Sequence, residues 1–298
     1  MLIKTKGPAG KTLYTSRPLL INPAEAYLRP QPSGREWFQT TTTVWRVDEL
    51  IRTRVRDWRR LLGETGHSGE RNEVMRKDHE SVYTGSHSVF PAPLVEWILL
   101  RYGGNPGGRI LDSFAGGAVR GIVSSVMGYS YTGVEIRLNQ IHENKAVLEA
   151  LNLQGVEYIH DDGTVMDEVE GQFDCALTCP PYYNLEVYSD FKEDISTKAT
   201  YDDFHNAMYR CAVAHRTLMK PGSFVCIVVG PFRDKKSGEL IDFPAHTAAN
   251  FQRAGFTYWQ QIVLSKNFAS AAKRAGNAWK GHKLVPCHEI LQVFRTPE

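Results

Sequence analysis

From about Ser86 onward, short apolar runs alternate with longer amphipathic stretches, and this alternation constrains the fold more than any other feature of the chain. Helical spacing runs over Pro91–Tyr102, Val119–Met127, Arg137–Leu151, Tyr201–Leu218 and Phe243–Ala254. Strand patterns fall at Arg109–Ser113, Tyr131–Glu135, Val156–His160, Phe173–Thr178 and Ser223–Val229, with Tyr258–Leu264 and Ile290–Phe294 as a closing pair. Strands interleaved with helices predict an α/β fold: a Rossmann-like, mostly parallel, seven-stranded sheet covered on both faces. Ligands of such sheets bind at the carboxyl ends of the strands, so the residues that leave each strand are where chemistry is expected.

The first 85 residues read differently, as an N-terminal extension to a domain spanning 86–298. Residues 1–42 are punctuated by Pro18, Pro23, Pro30 and Pro32 and read as loop. Val44–Leu62 has apolar residues at three- and four-residue steps and is expected to be an amphipathic helix, its other face carrying Arg46, Arg52, Arg54, Arg56, Arg59 and Arg60. Gly63–Gly85 is expected to be a loop or lid. With 42% hydrophobic residues the chain can bury a sizeable core, and its net charge of +2 alone says little about partners. The five cysteines form no C-x-x-C pair, which favours reduced thiols and no zinc knuckle. Without an apolar signal or membrane run, a cytoplasmic protein with no membrane partner and no metal is expected.

The segment Arg109-Ile-Leu-Asp-Ser-Phe-Ala-Gly-Gly-Ala-Val-Arg-Gly121 leaves a strand and enters a helix through a glycine turn. Such a turn also serves dinucleotides. Here, however, the spacing is not G-x-G-x-x-G and Asp112 opens the turn, a charge that repels a pyrophosphate and attracts the cationic amino-acid end of a sulfonium cofactor. Glu135 ends the next strand, where a carboxylate can accept both ribose hydroxyls, or simply be a solvated charge. Asp161 and Asp162 end the third; Asp162 is favoured for an adenine amino group, with a helix cap before Val165 as the alternative.

Leu111-Asp-Ser-Phe-Ala-Gly-Gly resembles the D-P-F-A-G-x-G motif of DNA amino-methyltransferases, and Thr178-Cys-Pro-Pro-Tyr182 resembles their D/N/S-P-P-Y/F/W motif. The stretch Cys179-Pro-Pro-Tyr-Tyr-Asn-Leu-Glu-Val-Tyr-Ser189 is similar to that of phage-type DNA methylases, and so is Gly230-Pro-Phe-Arg-Asp-Lys-Lys236. The resemblance implies a class I methyltransferase domain that uses S-adenosyl-L-methionine. On this reading Asp112, Phe114, Ala115, Gly116 and Gly117 hold the methionine end, Glu135 the ribose and Asp162 the adenine. Ser88 and Phe90, in the Ser88-Val-Phe-Pro91 segment, cover the methionyl carboxylate.

The same resemblance makes Cys179, Pro180, Pro181 and Tyr182 the catalytic corner. An exocyclic amine of adenine or cytosine is a poor nucleophile because its lone pair is delocalised. Acceptors placed on its hydrogens localise the pair, and two prolines fix a carbonyl without offering a competing N–H. The aromatic residue stacks on a base rotated out of the duplex. Cys179 departs from the family's Asp, Asn or Ser, and a thiol is a weak acceptor. It can be a spacer, share the acceptor role, or attack a pyrimidine carbon. Carbon-methylating enzymes place Cys after Pro, which counts against the last. Asn184, Glu186 and Tyr188 would line the same mouth or form an ordinary polar loop.

Double-stranded DNA is the expected partner, bound by a monomer or homodimer in a bacterial or phage-infected cell. Two places are basic enough to meet the DNA phosphates: the arginine face of Val44–Leu62 in the N-terminal extension, and the stretch after Asp242, where no acidic residue appears until Glu289 while Lys266, Lys273, Arg274, Lys280 and Lys283 cluster with Phe268 and Trp279. Tyr183 is placed with these DNA-binding residues. The histidines, His205, His215 and His282 among them, are expected to be structural, and Arg233 and Asp234 to form a local ion pair. Open alternatives are a related enzyme acting on RNA, on a glutamine amide or at cytosine C5, and a nucleic-acid-binding protein that has lost catalysis.

Overall fold

The computed structural model describes residues 2–6, 12–16, 44–46, 90–185, 194–265, 275–276 and 278–298. Two short antiparallel pairs stand apart from the main sheet: β1 (Leu2–Lys6) with β2 (Thr12–Ser16), and β9 (Phe232–Arg233) with β10 (Leu240–Ile241). The main sheet is built from β3 (Val44–Arg46), β4 (Arg109–Asp112), β5 (Ser130–Glu135), β6 (Val156–His160), β7 (Phe173–Thr178), β8 (Met219–Val229), β11 (Thr257–Ser265) and β12 (His288–Arg295). Its eight strands lie in the order β3-β11-β12-β8-β7-β4-β5-β6. β12 pairs antiparallel with both its neighbours; the other pairings are parallel. Seven of the eight are the strands expected from the sequence, and β3 adds a short edge.

Helices α1 (Ala92–Tyr102), α2 (Val119–Val126), α3 (Leu138–Ala150), α4 (Tyr201–Leu218) and α5 (Phe243–Arg253) cover the two faces. Successive strand residues point to opposite sides, and the core divides accordingly. Ile110, Cys175, Leu177, Cys226 and Val228 pack with Val95, Ile98, Ile122 and Val123 of α1 and α2. Leu111, Ala176, Val225, Ile227 and Val229 pack with Phe204, Met208, Ala212 and Phe251 of α4 and α5. Strands buried on both faces explain why β7 and β8 read as nearly unbroken apolar runs. α4 begins where Thr200 accepts the Asp203 N–H, α5 where Asp242 accepts the Ala245 N–H, each satisfying a donor the helix cannot.

Two N-terminal expectations are corrected. Leu2–Lys6 and Thr12–Ser16, read as loop, form the β1–β2 pair. Val44–Arg46, read as the start of a basic amphipathic helix, is β3, paired in parallel with Val263–Ser265 of β11. An open sheet edge offers unpaired backbone groups, and a β-branched and an aromatic residue in succession suit it. The rest of that expected helix, 47–62, and the loop 63–85 lie outside the described residues. β8 starts at Met219 rather than Ser223, because the C-terminal segment supplies partners there: Gly222 N–H donates to Pro297 O at 3.2 Å and Thr296 Oγ1 to Lys220 O at 2.7 Å.

Along the chain the sheet grows from β4 through β5 to β6, then returns past β4 to β7. The reversal leaves a crevice between the ends of β4 and β7, the usual ligand position of an open α/β sheet. The glycine turn and the double-proline corner leave these two strands.

Candidate active site

β4 delivers Asp112 into the turn. Gly116 has φ +51°, a left-handed conformation favouring glycine, and no atom lies within 4 Å of a Cβ built on Gly116 or Gly117. The turn therefore faces open space, which fits a ligand pressed against its backbone. Its shape is fixed by Ala115 N–H donating to Val134 O at 2.8 Å, Asn144 Nδ2 to Gly116 O at 2.7 Å, and Gly116 N–H to Glu135 Oε2 at 2.9 Å. Glu135 Oε1 also accepts the Arg137 N–H at 2.9 Å and Nε at 3.2 Å. Glu135 thus sits directly beside the glycine turn, at the strand end adjacent to β4.

Asp112 is wholly buried, and its carboxylate is spent inside the protein. It accepts from Arg120 Nε at 2.5 Å, Tyr131 Oη at 2.7 Å, Thr178 Oγ1 at 2.8 Å and Phe114 N–H at 3.2 Å. The attraction expected between Asp112 and a cationic ligand is already answered by Arg120. Arg120 Nη2 in turn donates to Phe114 O at 2.6 Å and Ala115 O at 3.0 Å. Burial alone would lower the Arg120 pKa, but the fields of Asp112, Tyr131 and Cys179 outweigh it and push it up. Burial, then the neighbouring Asp112, drives the Tyr131 phenol well above its ordinary range, so it stays a donor. Sequence reasoning missed Arg120; its signal is a cation in the first turn of α2, where the helix dipole disfavours one.

Asp162 lies two residues beyond β6 and accepts the Thr164 N–H at 2.8 Å in a tight turn, while Asp161 accepts from Glu168 N–H at 3.0 Å. No helix follows before β7, so the helix cap expected as the alternative does not form. The turn is jammed against the first one: a Cβ on Gly163 would lie 1.8 Å from Ser113 O. Asp162 is therefore held next to Ser113 and Phe114.

β7 ends at Thr178. Its hydroxyl donates to Asp112 and accepts from Phe114 N–H and Ser113 Oγ, both at 3.2 Å. Cys179 follows, half-buried and within electrostatic reach of Arg120. Pro180 is buried; Pro181 and Tyr182 are half-buried. The Tyr182 ring is held edge-on by Phe232 and Phe243, each at 5.6 Å. Tyr183, expected to face DNA, instead belongs to the core: it packs with Tyr201 and Phe204 and its hydroxyl donates to Ala199 O at 3.2 Å. The apolar wall of α4 takes the second of the two adjacent tyrosines. Asn184, at φ +47°, donates through Nδ2 to Asp234 Oδ2 at 2.9 Å. The segment resembling a methylase element after β8 thus has a job: with Lys235 Nζ on Leu185 O at 2.9 Å, it clamps the proline corner. Arg233 donates to Gly238 O at 3.2 Å, so the expected Arg233–Asp234 pairing gives way to this clamp.

Phe90 lies over the Arg120 guanidinium, 4.9 Å from ring centroid to Cζ. Ser88, Glu186, Tyr188, Lys266, Phe268, Lys273 and Arg274 lie outside the described residues. Lys280 is exposed, Lys283 half-exposed and Trp279 78% exposed, on the connection from β11 to β12. Because β11 runs parallel with β8, this connection springs from the same sheet edge as the two turns. A Cβ on Gly238 would lie 2.7 Å from Lys283 Nζ, which puts that lysine beside the clamp. Burial pushes the Cys211 thiol up to about 12 and the His215 imidazole down to about 4, so this buried pair stays neutral.

Residues 173–298 match the DNA methylase family. The methylase match starts at the first residue of β7 and takes in the double-proline corner, the clamp and the Lys280–Lys283 segment. The match covers less than half of the chain and supports methyltransferase chemistry with S-adenosylmethionine as the cofactor. Among solved structures, a methyltransferase from Pyrococcus furiosus is similar over 82% of this chain and 100% of its own, at 14% identity and a TM-score of 0.50. That likeness shows the Rossmann-like fold. TrmN from Thermus thermophilus is similar over 70% of this chain at 13% identity and a TM-score of 0.49, and the chain spans about half of it, 49%. No curated protein matches the sequence. Among the described residues no helix is long and apolar enough to cross a membrane.

Proposed function

We propose that the protein methylates an exocyclic amino group, adenine N6 or cytosine N4, of a base in DNA. The observation that carries this reading is the Thr178 hydroxyl. It is the last residue before Cys179-Pro180, and it bonds to Asp112 and Phe114 of the glycine turn. One side chain therefore ties the two turns together, and they open side by side on one edge of the sheet. A donor lying on the glycines and an amine presented at the prolines would be neighbours, and such placement supplies much of the rate of a displacement.

When bound, S-adenosylmethionine supplies a methyl group on a positively charged sulfur. The residues present fit such a group: open space beside Gly116 and Gly117, Glu135 at the next strand end, whose oxygens accept from Gly116 and Arg137 and keep further lone pairs for the ribose hydroxyls, and Asp162 at the third for the adenine amine. On the acceptor side the Pro180 carbonyl accepts a hydrogen of the target amine and draws its lone pair out of the ring. Tyr182 stacks on the base after it has swung from the duplex. Cys179 lines this pocket between Arg120 and Pro180. Lys280, Lys283 and exposed Trp279, on the same edge, meet the phosphates and bases of the duplex.

The methylase match over 173–298 supports DNA as substrate rather than RNA or a glutamine amide. The test is chemical. Plasmid DNA is incubated with the protein and labelled cofactor, digested to nucleosides and analysed by mass. Labelled N6-methyladenosine or N4-methylcytidine in deoxy form is the expected product; label found only at cytosine C5, in RNA or in protein defeats the proposal.

A further inference from the structure

Arginine carries five N–H donors in a planar fork. In Arg120, Nε goes to Asp112 and Nη2 to the carbonyls of Phe114 and Ala115. The Nη1 end has no hydrogen-bond partner among the described residues. It belongs to a side chain 93% buried, since its exposure is 7%. Around it lie the glycine turn with its open space, the Cys179 thiol, and Phe90 at the entrance to α1. A sheltered guanidinium nitrogen with no partner among the described residues suits an anionic oxygen such as a carboxylate's, to which Nη1 can donate one charge-assisted bond.

We infer that Arg120 is a ligand-binding residue whose Nη1 edge recognises the α-carboxylate at the amino-acid end of the cofactor. The inference rests on the S-adenosylmethionine reading. It also reassigns Asp112: the acid holds Arg120 in place and does not touch the ligand. The two roles belong together, because Nη2 shapes the turn while Nη1 reads what lies on it.

The test uses the full chain and calorimetric titration with S-adenosylmethionine and with its decarboxylated analogue, which keeps the sulfonium and the amine but lacks the carboxylate. The wild type should bind the analogue at least about tenfold more weakly, the worth of one charge-assisted bond. In Arg120→Lys one ammonium cannot serve both Asp112 and a ligand carboxylate, so the ratio of the two affinities should fall to about twofold or less. Equal affinities in the wild type, or an unchanged ratio in the lysine variant, overturn the assignment. A general loss of both ligands with the ratio kept would mean that Arg120 only shapes the turn, and also overturns it. If the lysine variant does not melt cooperatively, the wild-type ratio decides alone. Failure of the wild type to bind either compound at millimolar concentration counts instead against the cofactor reading.

Discussion

The Asp112–Gly117 turn is braced from beneath by a buried charge network, whereas the Cys179–Leu185 corner is clamped from its flank by single hydrogen bonds to neighbouring loops. In the first, one carboxylate gathers Arg120, Tyr131 and Thr178, and Arg120 reaches on to two carbonyls of the turn. In the second, Tyr183 reaches Ala199, Asn184 N–H reaches Ser196 at 3.2 Å, and the Asn184 amide reaches Asp234. The glycine turn is therefore held in shape by the protein's own groups. The proline corner is only as fixed as the loops it holds, which on the proposed function suits a pocket that admits a base swung out of a helix. Thr178 is where rigid meets adaptable.

The largest expected effect breaks the brace. Asp112→Ala leaves the Arg120 cation buried without its partner, and losing one member of a buried pair costs about 3–5 kcal/mol. Urea unfolding should show that loss, with cofactor affinity falling alongside. A change under about 1 kcal/mol would mean that the network does not hold the turn. Next, Gly163→Ala drives a methyl group into Ser113 O, with only 1.8 Å available. Backbone, not a pliable side chain, has to yield, at about 1–3 kcal/mol. Because it displaces the Asp162 turn from the glycine turn, it should weaken cofactor binding more than it changes any affinity for DNA, as parallel titrations would reveal.

The acceptor side should answer differently. Tyr182→Ala removes a stacking ring without touching the brace. Turnover of DNA should drop about 10- to 100-fold, the worth of one base–aromatic stack, while cofactor affinity stays within about twofold. Normal turnover would remove Tyr182 from the site. Further out, Lys280→Ala with Lys283→Ala should flatten the salt dependence of DNA binding, lowering the slope of log affinity against log salt by about one for each phosphate that no longer meets a lysine. An unchanged slope would put the duplex elsewhere on the surface.

The strands and helices from 90 onward were legible because period-2 and helical patterns with glycine punctuation report directly on local backbone and burial. Their carboxyl-end residues followed from topology. What escaped are features decided by groups brought together only in three dimensions. Asp112 looked available because nothing local shows that Arg120, eight residues on, folds back beneath it. Thr178 looked like a strand end, and its hydroxyl gains meaning only when β7 lands beside β4. Tyr182 and Tyr183 are the same residue type on the same turn, and only the packing of α4 sends one inward. Val44–Arg46 matched helical spacing, but the open edge of β11 outweighed it.

The smallest effect tests the clamp itself. The Asp234 carboxyl is lowered to about 2, by the Ser237 backbone N–H first, then by the Asn184 amide, with the Lys236 N–H adding to it. A carboxyl whose folded pKa is depressed contributes its full stabilisation above the unfolded value of about 3.9 and loses it as pH falls through the folded value. The stability difference between wild type and Asn184→Ala should therefore be level from neutral pH down to about 4, and shrink between about 4 and about 2 as Asp234 takes up its proton. In the variant, a carboxyl titration followed by NMR should place Asp234 higher than in the wild type, since one of its donors is gone. It should still lie below the unfolded value, because the two backbone N–H groups remain. An Asp234 titration that ignores the Asn184 change would show that the corner and the loop after β8 are not coupled, and the contrast between a braced turn and a clamped one would lose its second half.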